Sequence, residues 1–206
     1  MEKLDPHFAR LLRFHPKQSL NTTENTIYGL WPDFSLAYLN PGWFRFAAEN
    51  KGEPQISETW GLGRSIFEAI PKELKIFYQS HYQTCLESGT LWQHSYECSS
   101  PEICRELIQF VYPLGKREGL LLIHSSHLSQ KHKDKAHRPL HQAYRDPNGL
   151  LHQCAVCRRV RNQQATERWD WVSDWVRQTP EKTSHTYCAG CYGHYFQYDL
   201  HTKEQG

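Results

Sequence analysis

Cys154-Ala-Val-Cys157 and Cys188-Ala-Gly-Cys191 are two C-x2-C knuckles with thirty residues between them. A C-x2-C turn presents two thiolates to one ion, and two such turns complete the tetrahedral shell that zinc prefers, at about 2.3 Å per sulfur. Four sulfur ligands leave no open position for water, so such a metal builds structure and does no catalysis. The same residues in the same pattern also suit an iron site or a redox dithiol, and these remain open from spacing alone. Four thiolates around a divalent cation carry a net charge of about −2. Arg158, Arg159, Arg161 and Lys182 stand where they can offset it, or can form a nucleic-acid contact surface instead. His185 and His194 flank the second knuckle; His185 is expected to hydrogen bond to a thiolate from outside the ligand set, with Arg158 in a similar supporting role.

Other candidates for chemistry are weaker. Cys98 and Cys104 bracket the loop Ser99-Ser100-Pro101-Glu102-Ile103 and read as buried thiols or a redox pair. Six histidines between His124 and His152 have irregular spacing and read as a solvated segment. Spacing gives no Ser-His-Asp or Cys-His set and no paired carboxylates, and Gly61-Leu62-Gly63 alone is no phosphate loop. The expectation is a protein without enzyme activity.

These residues must be positioned by ordinary secondary structure. Residues 26–31 and 33–40 are β-prone runs parted by Pro32-Asp33, a hairpin signature. Asn40-Pro41 is an N-cap followed by proline at the first helical position, with Trp43, Phe44, Ala47 and Ala48 at helical spacing behind it. Residues 51–65 read as loops or single turns. From Pro71 to Ser88, Leu74, Phe77, Tyr78, His81, Cys85 and Leu86 fall on one helical face, and Gly89 supplies the stop. Three β-like runs follow, at 91–98, 105–114 and 119–125, as an antiparallel meander. A short helix is expected around Phe8–Phe14, and Trp169, Val172, Trp175 and Val176 suggest a helix that covers the cysteines. The fold class is α+β: a five-stranded antiparallel sheet with helices on one face, plus a small zinc-stabilised C-terminal module. The expected divisions are an N-terminal extension at 1–25, a domain at 26–126, a linker at 127–148 and the module at 149–206.

At 206 residues the chain suits one domain and an appendage, and a formal charge of +2 gives no general case for nucleic acid or an anionic membrane. Locally, Lys131, Lys133, Lys135, Arg138 and Arg145 form a basic stretch. The N-terminus has no apolar run of the signal-peptide kind, and no segment approaches the roughly 18 apolar residues of a membrane helix. A cytoplasmic protein is expected. Seven cysteines in a reducing compartment favour metal binding over disulfides.

Two resemblances bear on function. IYGLWPDFSLAYLNPGWFRFAAEN, then GRSIFEAIP and YPLGKREGLLLIHS, resemble the PAS domain family over residues 26–125. CAVCRRVRN, WDWVSDWV and SHTYCAGCYGHYF are similar to a cysteine module appended to bacterial PAS-containing signalling proteins, histidine kinases and response regulators among them. Together they cover about 140 residues of the chain. The resemblance implies a bacterial sensory or regulatory protein with a structural zinc ion. Its output would pass through a signalling partner such as a histidine kinase or response regulator, or through a homodimer. It also implies a ligand pocket between the longer helix and the sheet, lined by Phe77, Tyr78, His81 and Cys85 and by Trp92, Tyr96, Phe110 and Leu122. His81 is the one side chain there able to ligate haem iron, but a packed histidine is expected, and neither haem nor flavin. A nucleic-acid-binding regulator and a purely structural interaction protein are the alternatives.

Overall fold

In a computed structural model, residues 2–132 and 141–196 are described. The chain divides into two units, Met1–Tyr96 with Leu107–His127, and Glu97–Glu106 with Leu128–Gly206.

The first unit is built on β1 (Lys3–Leu4), β2 (Thr26–Leu30), β3 (Leu36–Leu39), β4 (Trp92–Glu97), β5 (Ile103–Leu114) and β6 (Gly119–Lys131). They form one antiparallel sheet in the order β1-β3-β2-β6-β5-β4. The fold class is α+β, with six strands where five were expected. The extra strand, β1, pairs Lys3 with Leu39 and Leu4 with Tyr38; two residues carry no periodicity that a sequence pattern can reveal. Further into the sheet, β2 pairs with β6 in a register that sets Tyr28 against Leu122 and Gly29 against Leu121.

Two of the expected helices are present. α2 (Pro41–Glu49) is capped by Asn40, whose Oδ1 accepts from Trp43 N at 3.0 Å. The same fully buried amide also accepts from Ile27 N and donates to the carbonyls of Leu20 and Asn25. α4 (Lys75–Ser88) ends at Gly89, whose φ of 70° is the left-handed conformation glycine adopts without penalty. Between them α3 (Gln55–Thr59) is a single turn. Around Phe8, where a short helix was expected, there is a 3-10 turn, Phe8–Arg10, followed by α1 (Lys17–Thr22). Leu20 is the one buried residue of α1, too little to form an apolar stripe.

Helices do not cover only one face of the sheet. Phe8, Leu11, Leu12 and Leu20 pack with Ile27, Tyr38 and Leu121 on the face opposite α4. Phe8 is the centre of this second core, with none of its surface exposed. Its ring lies over two glycines: a Cβ on Gly29 would stand 2.6 Å from Phe8 Cζ, and one on Gly119 would stand 2.9 Å from Phe8 Cε2. Residues 1–25 are therefore structural members of the first unit. No helix among the described residues is long and apolar enough to cross a membrane.

The second unit carries a four-stranded sheet that sequence reading did not find, in the order β10-β7-β8-β9. These strands are β7 (Leu151–Cys154), β8 (Val160–Arg161), β9 (Trp169–Asp170) and β10 (Thr183–Thr186), and with them go α5 (Ser173–Arg177) and α6 (Ala189–Tyr195). Its small core is Tyr144, Leu151, Val160, Val172 and Trp175. The stretch expected as a linker is partly this unit: β6 runs on to Lys131, and Tyr144 is buried. A turn forms at Asp146–Gly149, with Gly149 N donating to Asp146 O. Lys133, Lys135 and Arg138 of the basic stretch lie outside the described residues.

Candidate metal centre

Strand pairing brings the two knuckles together. β7 and β10 are parallel, with Leu151 opposite Thr183 and Cys154 opposite Thr186. The first knuckle leaves the end of β7 and the second begins two residues past the end of β10, so both turns emerge at the same edge. In the first, Cys154 N donates to Arg159 O at 2.8 Å and Arg158 N to Cys154 O at 3.0 Å. Arg158 takes φ of 62° to close this turn. In the second, Cys188 is the N-cap of α6, and its Sγ accepts from Cys191 N at 3.4 Å. Cys188 N in turn points at Cys154 Sγ, 3.5 Å away.

The four Sγ atoms of Cys154, Cys157, Cys188 and Cys191 lie within 4.8 Å of one another and form a group able to hold a metal ion. Cys157 Sγ and Cys188 Sγ are 3.7 Å apart. A tetrahedron with metal–sulfur bonds of about 2.3 Å has edges of about 3.8 Å, so this spacing accepts a cation with little adjustment. Cys154, Cys157 and Cys188 are buried, and Val156 and Trp169 pack against them. Trp169 covers the site from a strand, not from the expected helix, while Val172 and Trp175 belong to the neighbouring core. The electrostatics fit a bound cation. Hydrogen bonds from Cys157 and Cys191 push the Cys154 thiol far down, and the same bonds push Cys157 and Cys191 up. A divalent ion would replace this sharing of protons with four equivalent thiolates.

The groups around the thiolates differ from those expected. His185 is exposed on β10 and His194 is exposed on α6; neither belongs to the cysteine group. Arg158 turns its guanidinium to Ser99 O. The next residue, Arg159, is turned to a carboxylate: it holds Glu97, with Nη1 to Oε2 at 2.6 Å. Burial works against its charge, but Glu97 and Cys157 outweigh this and raise its pKa.

Segment Glu97–Glu106 belongs to this unit and is tied to it several times. Trp171 Nε1 donates to Pro101 O at 3.4 Å, Arg177 Nη2 meets Glu102 Oε1 at 2.5 Å, and His132 Nε2 lies 3.0 Å from Ser100 O. The Trp171 ring stacks on His132 at 4.4 Å and has Arg158 and Arg159 over it at 5.8 and 6.0 Å. Cys98 and Cys104 are free thiols, and burial raises the pKa of Cys98 against the opposing pull of Arg105 and Arg158.

In the first unit, the residues expected to line a pocket are largely brought together, but they pack on one another. Phe77, His81, Trp92 and His94 form a stack: His81 to Trp92 at 4.5 Å, and Trp92 to His94 at 5.3 Å with planes 6° apart. His81 Nδ1 is 2.7 Å from its own helix carbonyl at Phe77. Cys85 donates to Val111 O at 3.3 Å, and Tyr78 and Leu122 are buried. Phe110 is on the other face, because Gln109 and Val111 point at α4 and strand side chains alternate. A cavity of about 370 Å³ does exist, but it is lined by Leu4, Leu12, Leu20 and Tyr38 beside Glu2 and Lys17, on the N-terminal side.

Sequence reading missed the polar knot inside this core. Gln109 Nε2 donates to Tyr82 Oη at 2.8 Å and to His124 Nε2 at 3.1 Å, and Tyr28 Oη is also 3.1 Å from that nitrogen. Since an amide nitrogen only donates, His124 Nε2 accepts and Nδ1 carries the proton, given to Tyr96 Oη at 2.6 Å. Burial and nearby His94 push the His124 pKa down to about 3, and burial raises those of Tyr28 and Tyr82. The available signal was Tyr82, four residues from Tyr78 on the same helical face.

No protein-family model matches the chain, and comparison with curated proteins finds no relative.

Proposed function

We propose that the chain is a zinc-stabilised regulatory protein in which a PAS-like sensory unit and a four-cysteine module act together on a protein partner, with no catalysis of its own. The observation that carries this reading is the convergence of four thiols within 4.8 Å. Zinc is favoured over iron because a closed four-sulfur shell with no redox demand is what structural zinc takes. No position remains for a reacting water, which supports a structural role.

The PAS-like assignment is supported by the order of elements: a β hairpin, short helices, the longer α4, then three strands. The space beside α4 is filled by aromatic rings and the His124 knot. This supports sensing by protein contact, or by a small ligand that displaces those rings, over a resident haem or flavin. The partner of this reading is a signalling protein such as a histidine kinase or response regulator, with a second copy of the chain as the other possibility. The nucleic-acid alternative is less favoured. Arg158, Arg159 and Arg161 are occupied by Ser99 O, Glu97 and Thr166 O, and are not arrayed toward a phosphate backbone.

Metal analysis and an absorption spectrum of the purified full chain test this, together with a titration against duplex DNA at two salt concentrations. About one zinc per chain, no visible band and no salt-dependent DNA binding are expected. A Soret or flavin band, or salt-dependent binding of the kind phosphate contacts produce, would replace this reading.

A further inference from the structure

We infer that the cavity between the N-terminal segment and the sheet binds a small carboxylate with an apolar body, the carboxylate at Arg13 and the body on Leu12, Leu20 and Tyr38. The cavity measures about 370 Å³, within the roughly 300–1,000 Å³ that small-ligand sites occupy. It lies in the first unit and depends neither on the metal centre nor on the PAS-like reading. The chain builds it from both sides. The turn Phe8–Arg10 sets the Phe8 ring over Gly29 and Gly119, Leu12 follows into the same core, and α1 after Pro16 brings Leu20 back to it. Leu12, Leu20 and Tyr38 are buried in that core and also line the cavity, so its floor is apolar. Arg13 and Lys17, which line it too, are exposed and stand at its rim.

The polar groups decide the sign of the ligand. Glu2 is paired within the protein, since Asn21 Nδ2 donates to it and Lys17 Nζ meets it at 3.1 Å. Asn21 Oδ1 in turn accepts from Tyr38 Oη at 3.0 Å, so this wall leaves no carboxylate for a ligand cation. Burial, with Glu2 beside it, pushes the Tyr38 phenol up and keeps it neutral, so it does not repel an anion. Arg13 differs: among the described residues it meets no carboxylate, and its guanidinium lies over the exposed Phe14 ring at 4.6 Å. A guanidinium at the mouth of an apolar pocket is suited to a carboxylate, which it takes through two parallel N–H···O bonds. Beside α4 the corresponding space is filled by stacked rings. A small molecule can enter the first unit here without displacing them.

The test is calorimetric titration of the full chain with octanoate and with phenylacetate, and with octanol as the uncharged counterpart of octanoate. Saturable binding of at least one carboxylate is expected, with octanol weaker than octanoate by about fivefold, the share of a half-exposed charged contact. Arg13→Gln changes an exposed side chain and should weaken carboxylate binding about fivefold while octanol stays within about twofold. Ala9→Leu places a larger side chain in the cavity and should abolish binding of both classes. At about ten times its Kd, the carboxylate should raise the thermal transition of the first unit by about 3–6 °C and leave that of the second in place. No saturable binding of either carboxylate, equal affinity for octanoate and octanol, or wild-type carboxylate affinity in Arg13→Gln would overturn the inference. So would undiminished binding in a folded Ala9→Leu chain; if that variant does not fold, Arg13→Gln and the octanol comparison decide.

Discussion

His124 is held neutral by its neighbours. Gln109 donates to one ring nitrogen, Tyr28 stacks on the ring at 5.2 Å, and His94 stands near enough to oppose a second positive charge. An unfolded imidazole titrates near pH ~6.5, whereas this one titrates at about 3. Between those values the unfolded chain binds the extra proton and the folded chain does not, so stability is full above pH ~6.5 and falls as pH drops. Discounting for the residue's partial exposure, the loss at pH 5 is about 1–2 kcal/mol. Urea denaturation of wild type and His124→Gln at pH 7.5 and 5 should show a flatter pH dependence in the variant; parallel slopes would remove the assignment. Cys154 is expected to matter differently. Cys154→Ser and Cys188→Ser should each lose bound metal and unfold the second unit, because structural zinc supplies on the order of 10 kcal/mol in small modules. Metal content and circular dichroism read both effects.

At the scale of elements, Phe8 against Gly29 and Gly119 fixes how the N-terminal segment lies on the sheet. Phe8→Ala should cost about 3–5 kcal/mol through the cavity it leaves, and Gly29→Ala about 1–3 kcal/mol through the clash with the ring. Chemical denaturation checks both; a Gly29→Ala protein as stable as wild type would mean that the ring does not lie there. This packing was illegible in the sequence because it joins residues 8, 29 and 119, each unremarkable in its own window. The β2–β3 hairpin, α2 and α4 were legible for the opposite reason: Pro32-Asp33, Asn40-Pro41 and Gly89 are local signals that tertiary contacts did not override. β6 was read too short because its distal half is largely exposed, so no buried alternation marks it. The second sheet was missed because its strands are two to four residues long and β7 pairs with β10 across some thirty residues of chain. The knuckles themselves were plain from spacing, whereas the turn of the Arg158 guanidinium toward Ser99 O joins residues 59 apart in the chain and left no local signal.

At the scale of the whole molecule, two units with separate cores should respond separately to metal removal. The core of Tyr144, Leu151, Val160, Val172 and Trp175 is small, so the second unit depends on the thiolate centre more than the first does. Chelation should lower one thermal transition and leave the other near its original temperature. A single transition that moves as one would contradict this. The most direct test of the central claim is the zinc K-edge absorption fine structure of the purified full chain. Four sulfur scatterers at about 2.3 Å with no nitrogen or oxygen in the shell are expected; a mixed shell, or a chain without zinc, would contradict the four-cysteine zinc centre.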